Sequence, residues 1–289
     1  MNVGPQDGQD LRNGHNIILE PYSDLRARGR KYLAGKWSAV VITVFVYMLL
    51  IEAVPQLLDL IFGTERVIDL SQYMGQSFST NLGSTEITVK ESPVTGLYRI
   101  LVLPPLTYGI SQYFLDIARN KACSLGDIFQ GFEKFVKTIL LSLYMYLFII
   151  LWALIPIAGI FLAIRAAIRY SMAYYVMCDQ PELSIPMCVN ESKRIMEGNK
   201  LRYLLLDLSF IGWFILAFIC VAIIAAICAF IVIPIFGTES GQGVAQVLAT
   251  SIGMLPVAVV LAYNKATDTA FYELACCRLQ GETAYVRDM

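Results

Sequence analysis

Residues 138–164, 208–238 and 240–264 carry no charged side chain. Each run exceeds the roughly 20 apolar residues that take a helix across a bilayer core. Two other stretches follow the same pattern less cleanly. Residues 37–62 are broken only by Glu52 and Asp59, and residues 94–118 are free of charge from Ile100 to Leu115. A sixth, residues 160–178, holds Arg165 and Arg169 in an otherwise apolar helix-length stretch. In lipid each backbone amide must be satisfied within its own segment, which leaves helices as the open-chain solution. Barrel strands would alternate over about ten residues, unlike these uniform runs. The pattern predicts an all-α, polytopic membrane helix bundle with six transmembrane helices. Ile155-Pro156-Ile157-Ala158-Gly159 supplies the turn between spans three and four, since Pro removes a helix donor and Gly ends helices.

Between the spans, two segments have helical amphipathic spacing. In the first, Ser124 and Asp127 match a capping box. Leu125, Ile128, Phe129, Phe132, Phe135 and Val136 then share one face, with Asp127, Gln130, Glu133, Lys134 and Lys137 opposite. The second runs from Ser184 to Glu197 and stops at Gly198-Asn199. Both are expected as cytoplasmic interfacial helices. A short basic helix over residues 23–36 leads into span one. The outer loop, about residues 63–93, is rich in Ser, Thr and Gly and too short for a domain. The chain divides into a cytoplasmic N-terminal tail with its basic helix (1–36), a six-helix membrane domain (37–275) and a cytoplasmic tail (276–289).

Composition agrees: 57% of residues are hydrophobic, 16% charged, and mean hydropathy is +0.60. Soluble domains have about 25% charged residues, so a soluble enzyme, a disordered chain and a nucleic-acid binder are all disfavoured. The net charge of −1 conceals an asymmetry. With a turn at Pro156, seventeen of the 22 Lys and Arg residues lie in segments on one side of the membrane. The other side holds Arg66, Lys90 and Arg99. Cationic loops stay inside, so both termini are expected in the cytoplasm. The first twenty residues are polar and do not form a cleavable signal, so span one acts as an anchor.

The candidate chemistry is sparse. His15 is the only histidine, and it sits in the N-terminal tail. Histidine zinc sites, triads and proton relays in the membrane therefore drop out. None of the seven cysteines forms a C-x-x-C pair, and phosphate-loop, dinucleotide and zincin motifs are absent. No cofactor or metal is expected. Charges inside spans are costly and usually functional or paired. Glu52, Gln56 and Asp59 share one helix face by spacing, as do Arg165 and Arg169. The proposed topology puts both sets in the outer half of the membrane, with Arg169 expected to pair with Glu52 and Arg165 with Asp59. This set reads either as a structural ion-pair seam or as a polar site for an anionic or ion-coupled ligand. Arg26, Arg28, Arg30, Lys31 and Lys36 form a topology signal that would also attract anionic lipid. Asp116 and Arg119 are spaced to pair at i, i+3, and Asp207 is placed to meet Lys200 or Arg202.

Several runs resemble a known bacterial multi-pass membrane family, catalogued as domain of unknown function 975. They include Gly131-Phe132-Glu133-Lys134-Phe135, Tyr170-Ser171-Met172-Ala173-Tyr174-Tyr175 and Asp179-Gln180-Pro181-Glu182-Leu183-Ser184. Further on come Glu197-Gly198-Asn199-Lys200, Asp207-Leu208-Ser209-Phe210-Ile211-Gly212-Trp213 and Ala270-Phe271-Tyr272. The turn at Pro156 and the link between spans five and six, residues 236–244, depart from the family pattern. The resemblance implies six helices with cytoplasmic termini in the bacterial cell membrane and supplies no catalytic residue. It singles out Gly198, Asn199, Lys200, Asp207, Ser209, Gly212 and Trp213 as a cytoplasmic motif. The expected function is a non-enzymatic envelope module that contacts the lipid bilayer, anionic head groups or a membrane partner, and no nucleic acid. A permease using the charges of spans one and four is the alternative, and a lipid-acting enzyme a weaker third class.

Overall fold

A computed structural model describes residues 9–10, 15–69, 86–156 and 159–276. The expected C-terminal tail from residue 277, the centre of the outer loop and Ile157-Ala158 in the turn after Pro156 lie outside the described residues. Within them the chain is overwhelmingly helical, with two small antiparallel ladders: β1 (Gln9–Asp10) with β2 (His15–Asn16), and β3 (Thr64–Asp69) with β4 (Glu86–Glu91). The second ladder was not expected from the loop's composition. It pairs Thr64 with Glu91 and Asp69 with Glu86. The β-branched residues Val67, Ile68, Ile87, Thr88 and Val89 favour that pleated backbone.

Helix α1 spans Tyr22–Leu33. A turn through Gly35, at φ +74°, leads to α2, Trp37–Met48. A π-helical turn, Leu49–Ala53, joins it to α3, Val54–Phe62. Pro55 accounts for the widened turn: it has no N–H to offer the carbonyl four residues back, and Val54 N bonds Leu49 O instead. Helix α4, Pro93–Ala118, begins with Ser92 Oγ accepting from Val94 N at 3.1 Å. A 3-10 helix, Leu125–Lys134, runs into α5, Phe135–Ala153. Then come α6 (Gly159–Tyr170), α7 (Ala173–Asp179), α8 (Ile185–Ile195), α9 (Lys200–Leu208), α10 (Ile211–Phe236) and α11 (Thr238–Ala275).

Five stretches are long and apolar enough to cross a membrane: Trp37–Asp59, Leu125–Ala153, Gly159–Asp179, Lys200–Val232 and Leu248–Ala275. The other expected span does form a helix, α4, of 26 residues. Its polar and small residues from Pro104 to Ser111 lower its hydropathy, and most of them are buried against neighbours.

Three expectations about the connecting segments change. The segment after Ser124 has its capping box but is a 3-10 helix fastened to α4 by backbone contact. A Cβ on Gly109 would lie 1.9 Å from Ile128 O, and one on Gly131 would lie 1.9 Å from Pro105 O. Only glycine permits that approach. Helix α8 turns Cys188, Val189, Ser192 and Ile195 into the protein, so its apolar face packs against the chain itself. The broad turn expected at residues 236–244 shrinks to Gly237, at φ +80°, and α11 runs on to Ala275.

Two hydrophobic clusters form the core. One gathers Leu25, Tyr175, Val176, Cys188, Phe271 and Tyr272, and the other Leu33, Val44, Leu106, Phe114, Ile128 and Ala262. Helix α11 contributes to both. From Ala262 to Ala275 each of its residues is buried except Lys265.

Candidate functional site

The four charges expected to meet across spans one and four do not. Asp59 Oδ1 accepts the Ser92 N–H at 2.9 Å and the Thr95 hydroxyl at 2.6 Å, tying the end of α3 to the start of α4. Glu52 and Gln56 are exposed. On α6, the Arg169 carbonyl accepts the Ser192 hydroxyl at 2.8 Å. Both Arg165 and Arg169 lie within electrostatic reach of Lys200. Among the described residues no ion pair joins Glu52 or Asp59 to either arginine. The reason is tertiary: α8 lies along α6 and brings Ser192 and Lys193 to Arg169, while α4 engages Asp59. Spacing on each helix was readable, but which neighbour each helix faces was not.

The expected cytoplasmic motif is largely occupied by the chain's own N-terminal segment. Asn199 is fully buried. Its Oδ1 accepts from Ile18 N at 2.9 Å, and its Nδ2 donates to Ile195 O at 3.1 Å. Gly198 takes φ +80°, and a Cβ there would press on Ile17 at 3.2 Å. Arg202 donates to Glu20 O at 2.6 Å and Leu19 O at 3.2 Å, and stacks on Tyr22. Asp207 meets neither Lys200 nor Arg202 but accepts from Asn264 Nδ2 at 3.2 Å. Ser209 bonds back to Leu206 O at 2.6 Å. Gly212 has open space around it, and Trp213 is exposed.

A buried charge cluster lies where spacing did not point. Arg119 Nη2 lies 2.7 Å from Asp179 Oδ1 and 2.6 Å from Glu273 Oε1, and Tyr272 donates to Asp179 Oδ2 at 2.6 Å. The acids are almost fully enclosed. Burial works against the Arg119 charge, but the two carboxylates outweigh it and raise its pKa. Asp116 pairs with Lys121 at 2.8 Å rather than with Arg119. The cluster joins the ends of α4, α7 and α11, and nothing in the local sequence signals it except that Glu273 interrupts an apolar run. Nearby, Lys265 reaches Asp268 at 3.4 Å. Gly29 of α1 packs so tightly on Thr267 that a Cβ would meet its Oγ1 at 2.6 Å.

The basic set of α1 splits in two. Arg28 pairs with Glu20 at 3.1 Å, and Arg30 donates to the Tyr263 hydroxyl and lies over its ring. Among the described residues Arg26, Lys31 and Lys36 make no ion pair, and Lys31 and Lys36 are exposed. Lys36 and Lys121 both lie within electrostatic reach of Cys123, whose thiol is pushed up by burial and by Asp116 and Asp127. Beside them the 3-10 helix presents Leu125, Phe129 and Phe132 outward, with Val136 following. The rings of Phe129, Phe132 and Phe135 succeed one another at 6.2 Å.

Comparison with known proteins places the sequence. The family model "Protein of unknown function (DUF975)" matches residues 19–168 and 157–275. The chain belongs to this family. Neither a curated protein nor a solved structure matches it. The DUF975 match begins at Leu19 and ends at Ala275. It takes in Leu19 and Glu20, held by Arg202, the buried end of α11 and the Arg119 cluster. It is a membrane-type architecture without an assigned activity.

Proposed function

We propose that this DUF975 protein is a non-enzymatic, six-span protein of the bacterial cell membrane, with both termini cytoplasmic, that engages the lipid surface. The sixth crossing is α4. Its 26 residues reach about 39 Å at 1.5 Å per residue, and α2, its π turn and α3 cover the same number. Asp59 meets Ser92 at one end, and Thr43 meets the Tyr113 hydroxyl at 3.2 Å toward the other. A helix enclosed by neighbours does not need the apolar surface of one facing lipid.

The observation that carries the lipid reading is the outward Leu125–Phe129–Phe132 face set beside the exposed cations Lys36 and Lys121, the second of which also pairs with Asp116. Aromatic and cationic side chains together suit the head-group boundary. Asn199, Arg202 and the apolar face of α8 bond or pack within the chain, which favours the lipid reading over partner docking at those residues. Among the described residues Glu52 and Asp59 form no ion pair with Arg165 or Arg169, so no shared polar site on spans one and four supports the permease reading.

Benzoylphenylalanine placed at Phe132 tests the assignment. Irradiation of the protein in its native membrane should yield lipid adducts. Adducts to protein alone would overturn it. Topology is checked by labelling single cysteines at Lys31 and Lys90, which should be accessible from opposite sides.

A further inference from the structure

Four cations converge where α6, α8 and the start of α9 meet. Arg169 is the hub, with Lys193 and Lys200 both within its electrostatic reach and Arg165 within reach of Lys200. Lys193 also lies over the Tyr170 ring at 5.5 Å and donates to Asn190 Oδ1 at 3.1 Å. One acid, Glu197, lies within reach of Lys200. The other nearby acid, Glu191, is taken by Arg194 at 2.6 Å. Among the described residues the cluster therefore carries an excess of three positive charges over the one acid in reach. Arg169 Nε is buried and has no acceptor. A buried donor left unmade is costly, and like charges held together add to the cost. Burial and Arg169 together push the Lys193 ammonium below its usual range.

The surroundings of the cluster are apolar and outward-facing. Ile160, Phe161 and Ile164 are exposed on α6, and Leu201 and Leu205 on α9. Free phosphate would gain nothing from that rim. A phosphate attached to acyl chains would, since the chains can lie along the exposed aliphatic side chains while the head group meets the cations.

We infer that Arg165, Arg169, Lys193 and Lys200 form a discrete binding site for the phosphate of an anionic phospholipid. The site rests on the lipid-engaging reading but is separate from the face around Phe132. It is stoichiometric where that face is diffuse. Arg169 and Lys200 bind the phosphate oxygens, Lys193 closes the site from α8, and Arg165 sits nearest the acyl side.

Native mass spectrometry of the full chain in neutral detergent, titrated with phosphatidylglycerol, tests this. One lipid should bind saturably, and phosphatidylcholine should not replace it. In Arg169→Gln/Lys200→Gln the affinity should fall about thirtyfold, each cation contributing roughly a factor of five. Lys31→Gln/Lys36→Gln should leave the single bound lipid in place while reducing the preference for anionic vesicles. That second loss reports on the general lipid-facing reading, so the two fail independently. Unchanged affinity in Arg169→Gln/Lys200→Gln would overturn the site. So would displacement of the lipid by inorganic phosphate at equal concentration, which would mark a free-anion site. Should that variant not fold by its melting curve, Lys193→Gln/Lys200→Gln replaces it, and unchanged affinity there overturns the site equally.

Discussion

Helix α10 and the final stretch of α11 are opposite solutions to burial. Along α10 nearly every side chain is aliphatic or aromatic, yet only Ala217 and Val232 are buried among its described residues. Phe230 is 83% exposed. From Ala262 to Ala275, α11 carries Asn264, Lys265, Thr267, Asp268, Thr269 and Glu273, yet every residue of it except Lys265 is buried. In water this would be inside out. In a membrane the helix facing lipid has no water to escape, and polar groups gain from being gathered inside where they find partners. The contrast shows that a wholly apolar sequence marks an outward-facing helix of this chain, and mixed polarity marks the enclosed end of α11.

Substitutions can break or sharpen that contrast. The largest effect is expected from Arg119→Leu, which strands Asp179 and Glu273 without their cation. Removing one member of a buried ion cluster costs about 3–5 kcal/mol, which thermal unfolding in detergent would register. A variant that melts like wild type would mean the cluster does not hold the three helix ends. Next is Gly29→Ala, whose Cβ would sit 2.6 Å from Thr267 Oγ1 and 3.0 Å from Thr267 N. Overpacking of this kind costs about 1–3 kcal/mol, and α1 should loosen from α11, seen as faster amide exchange in α1. Asn199→Ala loses two buried hydrogen bonds, at roughly 1–3 kcal/mol for a stranded donor. Its signature is proteolytic cleavage near Ile18 at protease levels that leave wild type intact. Smallest is Ile219→Ala on α10, expected within about 0.5 kcal/mol because the side chain is exposed. A loss as large as that of Gly29→Ala would show that α10 is covered by protein.

The membrane helices were legible because the solvent requirement is one-dimensional. A run without charge, such as residues 208–238, reports its environment whatever it packs against. Local signals held as well. Ser124 and Asp127 form their capping box, and Gly198 at φ +80° stops the α8 segment. Pairings between helices were not legible. Asp116 and Arg119 are spaced to meet, yet Arg119 turns to Asp179 and Glu273, more than fifty residues away in either comparison. Arg165 and Arg169 share a face, as spacing requires, but α8 rather than α3 lies against it. The motif at Gly198–Arg202 was visible as a pattern, while its occupant, residues 17–20, was not, because the tail has no periodicity to announce a docking site.

The sequence alone determined the apolar solvent of the long helices, the helical class, some helix ends and the surplus of cations on one set of connecting segments. These follow from per-residue transfer energies and local backbone chemistry, which act without reference to distant parts of the chain. The tertiary structure alone decided that α11 is the enclosed helix, that Asn199 and Arg202 grip the N-terminal segment, and that Arg165, Arg169, Lys193 and Lys200 come together with Glu197 as the one acid in reach among the described residues. Each of those depends on which helix packs beside which, and an apolar surface is too uniform to encode that choice residue by residue.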